Sequence, residues 1–104
     1  MDKIEKLRNF LQESPDDSFL KHALALEMVK LGQDQEAYNL FTEILNLHPE
    51  YIGSYYHLGK LLERIGEEQK AVKIYQKGMD AARKAGDAHA LNELKVAWEG
   101  LSEQ

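Results

Sequence analysis

Cysteine is absent from these 104 residues. That excludes disulfides, thiolate nucleophiles and cysteine-bound metal. It suits a reducing compartment, and the expected location is cytoplasmic. Proline occurs only as Pro15 and Pro49, and there is no low-complexity tract. No apolar run approaches the ~20 residues that cross a bilayer as a helix. The opening Met1-Asp2-Lys3-Ile4-Glu5-Lys6 alternates charge around a single isoleucine. It does not read as a secretion signal, and Met1 reads as a natural start. Nothing basic clusters to offset a net charge of -5, so neither nucleic acid nor a membrane is expected as a partner. No stretch sustains the period-two alternation of a strand.

What is present is helical spacing. A 43% hydrophobic and 30% charged composition is that of a folded chain rather than a disordered one. Ile4, Leu7 and Leu11 make one stripe over residues 2–13, with Phe10 beside it. Ser14-Pro15-Asp16-Asp17 stops that helix and offers caps for the next. Leu20, Leu24, Ala25, Met28 and Leu31 keep the spacing up to Gly32. Asp34 is placed to cap a third helix carrying Ala37, Leu40, Phe41, Ile44 and Leu45. A fourth, over about 51–65, turns Tyr55, Leu58, Gly59, Leu62 and Ile65 inward. A fifth, from Glu68 to Ala85, carries Ala71, Val72, Ile74, Tyr75, Gly78, Met79 and Ala82. Gly86-Asp87 supplies a stop and a cap. The sixth, over 88–101, has Leu91, Leu94, Trp98 and Leu101 on one side.

These helices repeat. Leu24-Ala25 returns 34 residues later as Leu58-Gly59, Met28 as Leu62, and Gly32 as Gly66. Gln35 returns as Gln69, Ala37 as Ala71, Phe41 as Tyr75 and Pro15 as Pro49. A fixed period with one residue class at many positions marks a repeat architecture. Short links make consecutive helices antiparallel. The predicted fold is all-α, a right-handed stack of about six helices in antiparallel pairs. Small residues at Ala25, Gly59, Ala37, Ala71 and Gly78 let helices approach, beside Phe41, Tyr75, Leu24 and Leu58.

No catalytic constellation accompanies the repeat. His22, His48, His57 and His89 form no His-x-x-x-His pair. The glycines stand singly at helix ends or inside helices and make no phosphate-cradling loop. Ser14, Ser18, Ser54 and Ser102 lack a partner pattern for nucleophilic attack. Asp16-Asp17 and Glu67-Glu68 fall at helix starts, where capping and the helix dipole explain them. No enzyme activity, cofactor or metal is expected.

The Leu24-Ala25, Met28, Ala37, Phe41, Pro49 set and the Tyr55, Leu58-Gly59, Leu62, Ala71, Tyr75 set resemble the tetratricopeptide repeat. The first copy has Lys21 where the family has its leading aromatic, and the second lacks the closing proline. By that resemblance residues 1–104 form one repeat domain. Residues 2–15 act as a partial repeat or N-terminal cap, 18–51 as the first full repeat and 52–85 as the second. Residues 87–102 form a C-terminal capping helix, placed like the first helix of a third repeat but shifted by two residues.

The resemblance also implies a concave groove lined by the first helix of each repeat, where a peptide or partner protein docks. By repeat position its residues are His22, Leu26 and Val29, then Tyr56, His57, Lys60, Glu63 and Arg64, then His89, Asn92 and Val96 from the sixth helix. Helical phase supports part of this: Tyr56, Lys60 and Glu63 lie off the Leu58–Leu62 stripe. The family's clamp for chaperone-tail carboxylates needs Lys, Asn and Arg where this chain has His22, Leu26, His57, His89 and Glu93, so that ligand is not expected. Lys60, Arg64 and Lys30 favour an acidic peptide weakly, against Glu63. A second interface is expected at Val96, Trp98 and Leu101. The expected function is a non-catalytic protein-binding scaffold, with homodimerisation through the C-terminal helix as the alternative.

Overall fold

The computed structural model describes residues 2–102. Met1 and the charged end at Glu103-Gln104 lie outside the described residues. Six helices follow in order: α1 (Lys3–Glu13), α2 (Ser18–Lys30), α3 (Asp34–Leu47), α4 (Gly53–Arg64), α5 (Glu68–Ala85) and α6 (Ala88–Ser102). No strand occurs among the described residues. The chain is all-α, as the helical spacing predicts.

Local chemistry explains the helix ends. The Asp2 carboxylate accepts the Glu5 N–H at 2.8 Å, Asp17 that of Leu20 at 3.1 Å, and Asp87 that of Ala90 at 3.0 Å. Each bond satisfies a donor the helix cannot, an effect worth ~1 kcal/mol. Asp34 does not cap α3 as expected. It is the first helical residue, after Gln33, whose own side chain makes no capping bond. Gly32 and Gly66 close α2 and α4 with φ of 74° and 84°. The Gln33 N–H donates to the Met28 carbonyl at 2.9 Å and Gly32 to Val29 at 3.1 Å. The bonds recur one period on, from Glu67 to Leu62 at 2.8 Å and Gly66 to Glu63 at 3.1 Å. This bond pair requires a left-handed residue, which only glycine adopts without penalty.

The chain divides into two compact units between His48 and Pro49. In the first, α1 and α3 both pack on α2. Its core is Leu24, Ala25 and Met28 of α2 with Ala37, Phe41 and Ile44 of α3. Helix α1 contributes no fully buried residue. Ile4, Leu7 and Leu11 are half-buried and Phe10 is exposed. Ion pairs tie the layers: Lys3 to Glu27 at 3.0 Å, Arg8 to Glu36 at 2.8 Å, and the buried Lys21 to Glu43 at 3.6 Å. The Lys3 ammonium, and then Lys30, hold the Glu27 carboxyl below the usual glutamate range.

In the second unit α4 and α6 pack on α5, and α4 touches α6. Its core is Tyr55, Leu58, Leu61 and Leu62 of α4, Ala71, Tyr75, Met79 and Ala82 of α5, and Leu94 and Ala97 of α6. A Cβ at Gly59 would stand 2.1 Å from Cε1 of Tyr75, and one at Gly78 would stand 2.7 Å from Cβ of Tyr55. Each mid-helix glycine costs ~1 kcal/mol against alanine, and the close approach of an aromatic side chain accounts for both.

Two expected core residues turn out exposed. Ile65 is 44% exposed and Leu31 61%. Each is the C-cap residue just before the terminal glycine, so the chain leaves the helical path there. Leu61 and Ser54, not expected inward, are buried at 2% and 0% exposure.

Candidate binding groove

Tyr56, Lys60 and Glu63 sit one turn apart on α4, on a face that Leu58 and Leu62 leave free. Across from them α6 presents His89, Asn92, Glu93, Val96, Ala97, Gly100 and Leu101. Between these two sets lies an open groove of about 520 Å³. Val96 is 70% exposed within it. Nothing lies within 4 Å of where a Cβ on Gly100 would stand.

One hydrogen-bonded chain organises the α4 wall. The Tyr75 hydroxyl, rising from α5, donates to Oε2 of Glu63. Nζ of Lys60 lies 3.7 Å from that same oxygen and 5.6 Å from the centre of the Tyr56 ring. A cation over an aromatic face gains ~0.5–1 kcal/mol when exposed. Glu63 therefore joins the core to the groove, and Lys60 is held back over Tyr56. Burial, and then the Glu63 carboxylate, push the Tyr75 hydroxyl far above the ordinary phenol range, so it acts as a permanent donor. Tyr55 is anchored similarly, donating to the Pro49 carbonyl at 2.6 Å. Burial and Glu50 raise its pKa.

The histidines do not converge. The half-buried His22 ring meets Phe41 edge-on, with centroids 5.7 Å apart. His57 is half-buried beside Tyr56, and burial lowers its pKa against a smaller opposing pull from Glu93. His89 is exposed, its Nε2 3.8 Å from Glu93. No group of three potential metal ligands occurs among the described residues.

Of the residues expected at the groove, Tyr56, Lys60, Glu63, His89, Asn92 and Val96 line this one. His57 and Arg64, on the same helix, do not. His22, Leu26 and Val29 are half-buried on α2 of the first unit. Val96, expected both in the groove and at the second interface, and Leu101, expected only at the second, line the same groove as Tyr56. Trp98 turns the other way, into a shallow hollow over α5 with Gln76, Met79 and Arg83. The three residues of the expected second interface thus do not share a face. Sequence reading missed Glu93, Ala97 and Gly100 as groove residues. Their signal was the unbroken spacing 89, 92, 93, 96, 97, 100 along α6.

Paired helices, a 34-residue period and an open groove between α4 and α6 define a helical-repeat protein. The profile of the tetratricopeptide repeat family matches residues 17–51 and 54–77, more than half of the chain. The chain belongs to that family, whose members are commonly protein-interaction modules. It is similar to a tetratricopeptide repeat domain protein of Salinibacter ruber at 38% identity, over 84% of this chain and 97% of that one, with a TM-score of 0.80. A Bordetella parapertussis protein is 25% identical over 99% of this chain and 90% of its own, with a TM-score of 0.84. The TPR2B domain of yeast Sti1, solved in complex with pHsp70, matches over 97% of this chain and 81% of its own, with a TM-score of 0.89. Its 14% identity makes that a likeness of fold alone. No curated protein matches the chain by sequence. No described helix is long and apolar enough to cross a membrane.

Proposed function

We propose that this chain is a non-catalytic interaction module that binds a peptide or an extended segment of a partner protein between α4 and α6. The observation that carries the reading is the open groove, in a family of binding modules, with Val96 and Tyr56 on its opposite walls. Tyrosine offers contact area at low entropic cost. Asn92 adds an amide able to pair with a peptide backbone. The likeness to the pHsp70-bound Sti1 domain does not extend to a carboxylate clamp, because His22, Leu26, His57, His89 and Glu93 occupy the clamp positions.

The test is affinity capture with the wild type and with a Tyr56→Ala/Lys60→Glu variant. The variant is expected to lose the partners that the wild type retains. Recovery of the same partners in equal amount removes the groove assignment. The alternative is a homodimer through the α6 face. Val96 and Leu101 line the groove while Trp98 faces α5, so such a dimer would occupy the groove itself. Light scattering over a concentration series decides this, since a chain that stays monomeric when concentrated excludes the dimer.

A further inference from the structure

The charges of the groove do not cancel. Lys60 is already met within the fold by Glu63 at 3.7 Å and by the Tyr56 ring. Arg64, the other base expected to favour an acidic ligand, does not line the groove. Glu93 remains. Across 3.8 Å it faces the His89 imidazole, a pairing that carries charge only when His89 is protonated. The groove therefore shows a negative centre at Glu93, next to the apolar strip of Val96, Ala97 and Leu101. The net charge of -5 on the whole chain adds to that field.

We propose that the groove takes a peptide segment in which a lysine or arginine adjoins apolar residues, its cation at Glu93 and its apolar side chains along Val96 and Leu101. This rests on the reading of the groove as a peptide site and names the chemistry of its occupant. The apolar strip supplies most of the affinity, because removing its surface from water is favourable in proportion to area. The exposed carboxylate supplies selectivity and faster encounter more than raw affinity. The bare face of Gly100 leaves room for the peptide backbone to lie close to α6. An acidic segment would face Glu93 directly and would have to draw Lys60 away from Glu63 and Tyr56.

Random linear peptides displayed on phage, selected on the immobilised whole chain, provide the probe. The affinity of a selected peptide is then measured by fluorescence anisotropy with wild type, Glu93→Gln, Glu93→Lys and Val96→Asp. Both positions are exposed, and unchanged circular dichroism melts confirm that the variants fold. The selected peptides are expected to carry Lys or Arg beside apolar residues. Glu93→Lys is expected to weaken them about tenfold and Glu93→Gln about threefold, and added salt to shrink both effects. Val96→Asp is expected to weaken them about tenfold or more. Peptides that respond to Val96→Asp but are acidic or uncharged, and indifferent to Glu93→Lys, overturn this inference and leave the groove reading standing. Failure to select any peptide sensitive to Val96→Asp overturns both. A dimer that Val96→Asp dissolves gives the groove to a second copy and overturns the basic-peptide occupant.

Discussion

The first unit has Ala25, Phe41 and Val29 where the second, one period later, has Gly59, Tyr75 and Glu63. Phe41 and Tyr75 are both fully buried. The second unit has in effect added one hydroxyl to its core, and two other positions differ with it. Under the ring, alanine is replaced by glycine, since a Cβ there would collide with Tyr75. Beyond the ring, valine is replaced by glutamate, which accepts the hydroxyl. A buried hydroxyl without an acceptor costs several kcal/mol in apolar surroundings. The glutamate that meets this need also reaches the groove wall and draws Lys60 to itself. In this unit a packing solution and the wall of the proposed binding groove share one carboxylate.

A second pair of positions shows the same divergence. Position 27 of the first unit is Glu27, ion-paired with Lys3 of α1 and Lys30. Its counterpart in the second unit is Leu61, buried. The first unit links its helices partly by charge, through Lys3–Glu27, Arg8–Glu36 and Lys21–Glu43. In the second unit Lys60–Glu63 and Arg83–Asp80 run along single helices, and apolar burial joins α4, α5 and α6. Surface ion pairs are worth ~0–1 kcal/mol, whereas a buried leucine is worth ~1.5–3 kcal/mol.

The largest test of this contrast is Leu61→Ala, expected to cost about 2–4 kcal/mol in urea unfolding. Glu27→Ala is expected to cost clearly less, and equal losses would erase the distinction. Next comes the space under the ring. Gly59→Ala is expected to destabilise by about 2 kcal/mol through overpacking. The reverse change in the first unit, Ala25→Gly, should cost about 1 kcal/mol from backbone entropy. A neutral Gly59→Ala would mean that Tyr75 can move aside.

A smaller effect concerns the hydroxyl. Tyr75→Phe is expected to cost about 1 kcal/mol, and Glu63→Val, which strands the hydroxyl, about 1–3 kcal/mol. The double variant reproduces the chemistry of the first unit, and its loss should fall well below the sum of the single losses. Strict additivity would show that the two groups do not act as a pair. The smallest effect is on pH dependence. Burial lowers the pKa of folded His57 below its ordinary value of 6.5. The unfolded chain therefore takes up this proton first as pH falls, so the contribution of neutral His57 is full above pH 6.5 and declines below it. His57→Gln should flatten that part of a melting-temperature profile, and an unchanged slope would assign it to other groups.

Much of this was legible in the residue order. The period, the six helices, the terminal glycines and the caps at Asp17 and Asp87 follow from local chemistry that acts within a few residues. The groove was legible in part. Tyr56, Lys60 and Glu63 stand off the core stripe of their own helix, and that can be read from spacing. On α6 the repeat position pointed to His89, Asn92 and Val96, which line the groove, but not to Glu93, Ala97, Gly100 or Leu101, because the two-residue shift leaves the rotation of that helix incompletely set by the repeat. Ile65 and Leu31 were misread because a stripe extrapolated to the last residue of a helix assumes that the helix continues.

The sequence by itself determined the fold class, because helical periodicity, small-against-large packing and left-handed glycines are written into each repeat. Only the tertiary structure decided what the groove is made of. It added Glu93, Gly100 and Leu101 to the wall opposite Tyr56, turned Trp98 onto α5, and showed Lys60 already matched by Glu63. Those outcomes depend on how α4, α5 and α6 are rotated against one another. That rotation is set by contacts between side chains far apart in the sequence, such as Tyr75 on Gly59 and Tyr55 on Gly78.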